Sequence, residues 1–138
     1  MTAEPRVGCG AAIVVDGKIL LMRRLTDPEA GAWGLAGGKI DFGETAAHAA
    51  EREILEELGV IIQARDLLCF VDQIDLEGGT HWVSPVYLAT AFTGEPRIME
   101  PAKCGGLGWF EISAPPAPLT CAAATALKAL AARARLPG

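Results

Sequence analysis

The sequence predicts an α+β fold, a mixed sheet with helices packed on its faces. Three observations predict it. Short β-branched stretches occupy both halves of the chain, a strongly helical segment interrupts them at 45–58, and an alanine-rich helical segment follows at 120–135. Strands and helices in that order belong to the α+β class. With 138 residues the chain is read as one domain, 1–138, large enough to bury a core without a disulfide or a structural metal.

Residues 7–15 (VGCGAAIVV) are small and β-branched and read as a buried strand. Asp16-Gly17 is a two-residue hairpin signal, because both residues tolerate positive φ, and Lys18 to Arg23 is the returning strand. Arg24 to Trp33 reads as a loop, and Gly37-Gly38 as a further break. In the helix at 45–58, Thr45 is the N-cap, Gly59 follows the last turn, and Ala47, Ala50, Ile54 and Leu58 form the apolar stripe. Strands are expected near 67–74 and 81–92, with Glu77-Gly78-Gly79-Thr80 turning between them. Pro85 cannot donate to a ladder, which makes the second of these an edge strand or one carrying a bulge. A loop with Pro101, Gly105 and Gly106 leads to a strand at 107–112, and Pro115, Pro116 and Pro118 then stop regular structure. Thr120 caps the final helix.

Composition excludes several classes. The chain is 51% hydrophobic and 21% charged, which argues against disorder. Charges interrupt every apolar stretch before it could span a membrane. The formal net charge of −5 argues against binding nucleic acid through its backbone. A small anionic ligand stays allowed, because a bound cation reverses the local sign. Residues 1–10 lack the basic start and apolar core of a secretory signal. Cys9, Cys69, Cys104 and Cys121 form no C-x-x-C pair. A cytoplasmic protein with reduced thiols is therefore expected.

Chemistry concentrates on the first helix. Glu53 lies three residues from Glu56 and four from Glu57, so the carboxylates share a face and repel one another. Such a face is either simply solvated or a place for a hard divalent cation, which takes oxygen ligands and bridges to phosphates. The segment in front of it decides between these. Residues 38–60 read GKIDFGETAAHAAEREILEELGV: Gly38, then Glu44 after five residues, then Arg52-Glu53 after seven more, with Glu56-Glu57 and Gly59 completing the pattern. This segment resembles the signature box of the Nudix (MutT-like) hydrolases at every defining position.

The resemblance implies the Nudix α/β/α sandwich and hydrolysis of a phosphoanhydride in a nucleoside diphosphate linked to another group, with Mg²⁺ or Mn²⁺. It implies that Glu53, Glu56 and Glu57 bind the metal, that one of them, most often at the position of Glu53, activates the water, and that Arg52 orients the glutamates. It further implies that Glu44 orients the helix and that the Gly38 carbonyl is a metal ligand. Relatives commonly have Pro-Gly-Gly before the box, whereas this chain has Ala36-Gly37-Gly38, which loosens the approach without removing a functional group. Glu100, placed by Pro101 in extended geometry at a strand end, is a further candidate catalytic carboxylate. Arg23 and Arg24 are candidates for substrate phosphates.

Beyond the box, the amino-terminal stretch RVGCGAAIVVDGKILLMRR is similar to members that act on nucleoside triphosphates, as is Glu100-Pro101-x-Lys103 followed by Trp109-Phe110. Residues 74–78 (IDLEG) carry neither the proline of ADP-ribose hydrolases nor the tyrosine of diadenosine-polyphosphate hydrolases. The expected reaction is cleavage of a nucleoside triphosphate to monophosphate and pyrophosphate. ADP-ribose or another nucleoside-diphosphate sugar is the alternative substrate. A binding module without turnover is the alternative class, opposed by the intact carboxylate set. Trp33, Trp82, Tyr87 and Trp109 are candidates to stack on a base, each against the simpler reading of core packing. His48 and His81 receive no role. The family also makes a homodimer an expected partner arrangement, alongside a small-molecule nucleotide and no membrane.

Overall fold

A computed structural model describes residues 3–135. Strand β1 (Arg6–Val15) turns at Asp16 and Gly17, with φ of 52° and 74°, into β2 (Lys18–Arg24). Positive φ at both turn positions gives the twist that a two-residue hairpin needs. Two short strands follow, β3 (Trp33–Gly34) and β4 (Ala36–Lys39), before helix α1 (Ala46–Leu58). Then come β5 (Asp66–Asp75), β6 (Thr80–Ala89), β7 (Cys104–Glu111) and helix α2 (Cys121–Ala134).

The sheet is mixed. Its order is β3-β2-β1-β6-β5, with β4 also paired to β1 and β7 to β2. The β1–β6 pairing is parallel, and the other strand pairings are antiparallel. Side-chain alternation along the central strands divides the core. Ala11 and Ile13 of β1 and Leu20 and Met22 of β2 pack with Ile54 and Leu58 of α1. Ala12, Ile19 and Leu21 point the other way, onto Ala123 and Ala126 of α2. Strands buried on both faces need continuous apolar runs, which is why residues 11–13 and 19–22 carry no polar position. The result is the α/β/α sandwich that the sequence implies.

Both helices start as expected. The Thr45 hydroxyl accepts from His48 N at 3.1 Å, and the Thr120 hydroxyl accepts from Ala123 N at 3.1 Å. Gly59, at φ 71°, ends α1 by donating its N–H to Leu55 O at 3.0 Å. No helix among the described residues is long and apolar enough to cross a membrane.

Several local expectations are corrected. Gly37-Gly38 and Gly105-Gly106 are not breaks but lie inside β4 and β7. A side chain on Gly37 would collide with the backbone of Cys9 and Gly10, so β4 lies against β1 only because the residue is glycine. The buried stripe of α1 runs through Ala49, Ala50, Ile54 and Leu58, with Ala47 only half-buried. Strand β6 is interior, between β1 and β5. Pro85 is accommodated where the β1–β6 ladder skips from Val7–Val83 to Gly10–Val86, and the register shift lies on β5 between Leu67 and Cys69. Strand β6 also stops at Ala89 rather than reaching residue 92.

Candidate active site

The second half of α1, the strands β2 and β4 and the loop before β7 enclose a cleft of about 410 Å³. Glu53, Glu57 and Glu100 line it together with Arg23, Arg24 and Lys103. The helical spacing supplies Glu53 and Glu57, and the close approach of β4 brings backbone to meet them. A Cβ on Gly38 would stand 2.5 Å from the Glu53 carboxyl carbon, so only glycine lets the strand and that carboxylate share the space. The Cys9 thiol donates to the Gly38 carbonyl at 3.6 Å from behind. Burial pushes that thiol up to about 11, so it stays protonated and serves as a donor.

Arg52 organises the carboxylates around it. Its Nε and Nη2 grip both oxygens of Glu44, at 2.7 and 2.8 Å. Its Nη1 donates to Glu53 at 3.0 Å and Glu56 at 3.3 Å, and its Nη2 also reaches the Lys39 carbonyl at 3.1 Å. A planar fork with five donors suits this work, and lysine could not reproduce it. The Arg52 hydrogen bonds, helped by the Asp41 N–H, hold Glu44 down at about 2. Glu44 is therefore a permanently ionised anchor, and His48 Nδ1 stands 3.3 Å from it.

Glu57 sits in the opposite condition. It accepts from the Gly37 N–H at 3.1 Å, yet burial, with Glu53 and Glu100 as neighbouring charges, pushes it up to about 8. No cationic side chain bonds it, whereas Lys103 stands 3.5 Å from Glu100. A buried carboxylate beside other carboxylates, with oxygen donors and a backbone carbonyl nearby, has the chemistry of a hard-cation site. As the side chains stand, no three acidic, histidine or cysteine groups among the described residues converge closely enough to hold an ion.

The structure therefore brings Glu53, Glu57, Glu100, Gly38, Arg23 and Arg24 to one cleft. Glu56, 54% exposed, Arg52 and Glu44 are not among its lining residues, and Arg52 links Glu56 and Glu44 to Glu53. Lys39 and Lys103 also line the cleft; Lys103 belongs to the Glu100-Pro101-x-Lys103 stretch noted in the sequence, whereas Lys39 did not stand out there. Lys39 directly follows the two glycines, a position whose proximity to the helix shows only once β4 pairs with β1.

A second cleft, of about 290 Å³, opens on the α2 face of the sheet. Trp82, Ser84, Gln73 and Glu29 line it, and it shares Arg24, Leu35, Gly37, Gly38 and Lys39 with the acidic cleft. Of the four aromatic candidates, only Trp82 lines either cleft, with Arg6 over its ring at 5.8 Å. Trp33 packs edge-on against Phe110, Trp109 stacks with Phe92, and Tyr87 packs against the small residues under α1.

The family model described as NUDIX domain matches residues 4–131. The chain belongs to the Nudix family. The crystal structure of a MutT NUDIX hydrolase from Burkholderia pseudomallei superposes with a TM-score of 0.90 at 56% identity, covering 92% of this chain and 98% of that one. An ADP-ribose pyrophosphatase of Methanocaldococcus jannaschii is 35% identical over 100 residues, which is 72% of this chain and 59% of that protein. A putative 8-oxo-dGTP diphosphatase 2 of Mycobacterium tuberculosis is 40% identical over 93 residues, 64% of this chain and 63% of that protein. The chain thus matches about three-fifths of the length of these two curated Nudix relatives.

Proposed function

We propose that this Nudix chain is a divalent-metal-dependent pyrophosphohydrolase that cleaves a nucleoside triphosphate to the monophosphate and pyrophosphate. One observation carries the reading. The acidic cleft and the Trp82 cleft are both lined by Gly37, Gly38 and Lys39 of β4, which supports reading them as one groove with phosphates at one end and a base at the other.

Glu53 and Glu57, with Glu56, Glu100 and the Gly38 carbonyl, are the groups that would hold the cation. Mg²⁺ or Mn²⁺ bound there would neutralise phosphate charge and make a bound water a nucleophile near neutral pH. The chain's own groups do the rest. Arg23, Arg24, Lys39 and Lys103 line the groove as counter-charges for phosphate oxygens. Arg52 keeps Glu53 pointed into the cleft, where its carboxylate accepts the proton of the attacking water. The water oxygen bonds to one of the two phosphorus atoms flanking the α–β bridge, the bond from that phosphorus to the bridging oxygen breaks, and the bridging oxygen leaves on the other fragment: on pyrophosphate for attack at the α-phosphorus, on the monophosphate for attack at the β-phosphorus. Catalysis of this kind rests on positioning and electrostatics, which matches a site made of carboxylates, cations and backbone.

The similarity to the ADP-ribose pyrophosphatase of Methanocaldococcus jannaschii supports a second reading, hydrolysis of ADP-ribose. Turnover of nucleoside triphosphates and nucleotide sugars, with products separated by ion exchange and with the divalent ion present or chelated, decides between them. Nucleoside monophosphate and pyrophosphate from a triphosphate, only with the ion, is the expected result. Full turnover by exhaustively chelated protein overturns the metal role, and turnover confined to ADP-ribose overturns the triphosphate.

A further inference from the structure

In the second cleft the polar groups are wired in an order that constrains what they recognise. Glu29 adopts a left-handed backbone, φ 66°, which a residue with a side chain holds only when its surroundings fix it. The fixing contacts are visible. Its Oε2 accepts from the Cys121 N–H at 2.7 Å, in the first turn of α2, and its Oε1 accepts from Gln73 Nε2 at 3.0 Å. These partners lie 92 and 44 residues away in sequence, so Glu29 ties its loop to α2 and to β5 at once.

An ionised carboxylate only accepts hydrogen bonds. Gln73 must therefore turn its NH₂ towards Glu29, which leaves its Oε1 as an acceptor in the cleft that both residues line. The same carboxylate keeps unused lone pairs beside it. Gln73 and Glu29 thus present acceptors in a cleft that Arg24, Lys39 and Ser84 also line, and Trp82, the register partner of Gln73 on β6, adds an aromatic surface. A flat ligand with an amino group at its edge satisfies those acceptors. A ligand presenting a carbonyl there meets oxygen against oxygen.

We propose that Gln73, locked in one orientation by Glu29, reads the base of the nucleotide and makes the groove prefer amino-bearing bases over uracil and thymine. This rests on the reading above only in taking the groove to hold a nucleotide. Gln73 touches the base, whereas Glu29 is a positioning residue that acts through it.

Calorimetric titration of the full chain with the α,β-methylene analogues of CTP and UTP, in the presence of Mg²⁺, tests this without turnover. The two ligands differ by an exocyclic amino group against a carbonyl with its neighbouring ring N–H. The cytidine analogue is expected to bind about ten- to a hundredfold more tightly, the discrimination of a well-made base contact. Glu29→Gln offers Gln73 a partner that can donate as well as accept, so the amide can turn over and the ratio falls towards one. Gln73→Met, similar in size and without either polar atom, collapses the ratio in the same way, and circular dichroism melts confirm that each variant is folded. Equal affinity of the wild-type chain for the two analogues, binding of neither, or an unchanged ratio in a folded variant overturns the proposal. A chain that keeps the ratio but hydrolyses no triphosphate retains the base reader and overturns the reaction assigned above.

Discussion

The two clefts, the ends of the proposed groove, meet their charges in different ways. On the α1 side, Glu57 is buried next to Glu53 and Glu100, and Arg52 is committed to Glu44, Glu53 and Glu56. On the α2 side, both oxygens of Glu29 have an N–H donor, and the Thr120 hydroxyl is paired. The first end carries repulsion that a cation would relieve. The second is already satisfied, so its effect is to impose orientation. The contrast teaches that removing a group from the acidic end should change rate and metal demand, whereas removing one from the other end should change which ligand is preferred.

The sharpest break of that contrast is Glu53→Gln. The variant keeps the shape but loses the charge that attracts a cation and the basicity that accepts a proton. Its kcat should fall about 10²–10⁴-fold, with the melting temperature close to wild type, since Glu53 lines a cleft rather than the core. Wild-type kcat at saturating Mg²⁺ would remove Glu53 from the chemistry.

Arg52→Lys is expected to cost less, about 10- to 100-fold in activity, the usual loss when the groups that orient metal ligands are disturbed. Lysine keeps the charge but cannot hold Glu44 with two parallel bonds and still reach Glu53. The loss should appear mainly in the Mg²⁺ concentration required, which a metal titration of the rate measures. An unchanged requirement would make the arginine only a surface counter-charge.

The smallest effect is on stability against pH. Glu57 is pushed up to about 8 in the metal-free chain, above the ordinary carboxylate value of 4.5. The folded state then holds a proton that the unfolded chain releases. Its contribution to stability is complete below about pH 4.5 and is lost as pH rises through about 8. Thermal melts of chelated protein from pH 5 to 9 should show that decline, and Glu57→Gln should flatten it. An equal decline in the variant assigns the slope to other groups.

The same two regions differ in how far the sequence reveals them. The acidic end is built mostly from residues 38–57, so fixed spacings on one helix and one adjoining strand expose Gly38, Glu44, Arg52, Glu53, Glu56 and Glu57 together. Glu100 was legible as a carboxylate before a proline, but it lies in the loop between β6 and β7 rather than at a strand end, and its carbonyl accepts from the Lys103 and Cys104 N–H groups in a turn. The other end gathers residues 29, 73, 82 and 84 from a loop and two strands, and no local pattern links them. Glu29 and Gln73 are common surface types, and their meeting depends on β5 lying at the sheet edge beside α2. In the fold, the helix caps and the Asp16-Gly17 turn follow from local chemistry. Strands β4 and β7 hold glycine pairs that read as breaks, because the reason for them, the close approach to β1 at Gly37 and to the Trp33 and Leu25 side chains at Gly105 and Gly106, is tertiary.

The account's central claim is that the α1 carboxylates form a centre for a divalent ion. Titration of the chelated chain with Mn²⁺, followed by the loss of the free-ion electron paramagnetic resonance signal, tests it most directly and needs no substrate. The wild-type chain is predicted to take up at least one ion, with affinity rising as pH passes through about 8 and Glu57 gives up its proton. Glu53→Gln and Glu57→Gln should each weaken that uptake about tenfold or more, while Gln73→Met leaves it unchanged. Wild-type uptake in both glutamate variants would contradict the claim.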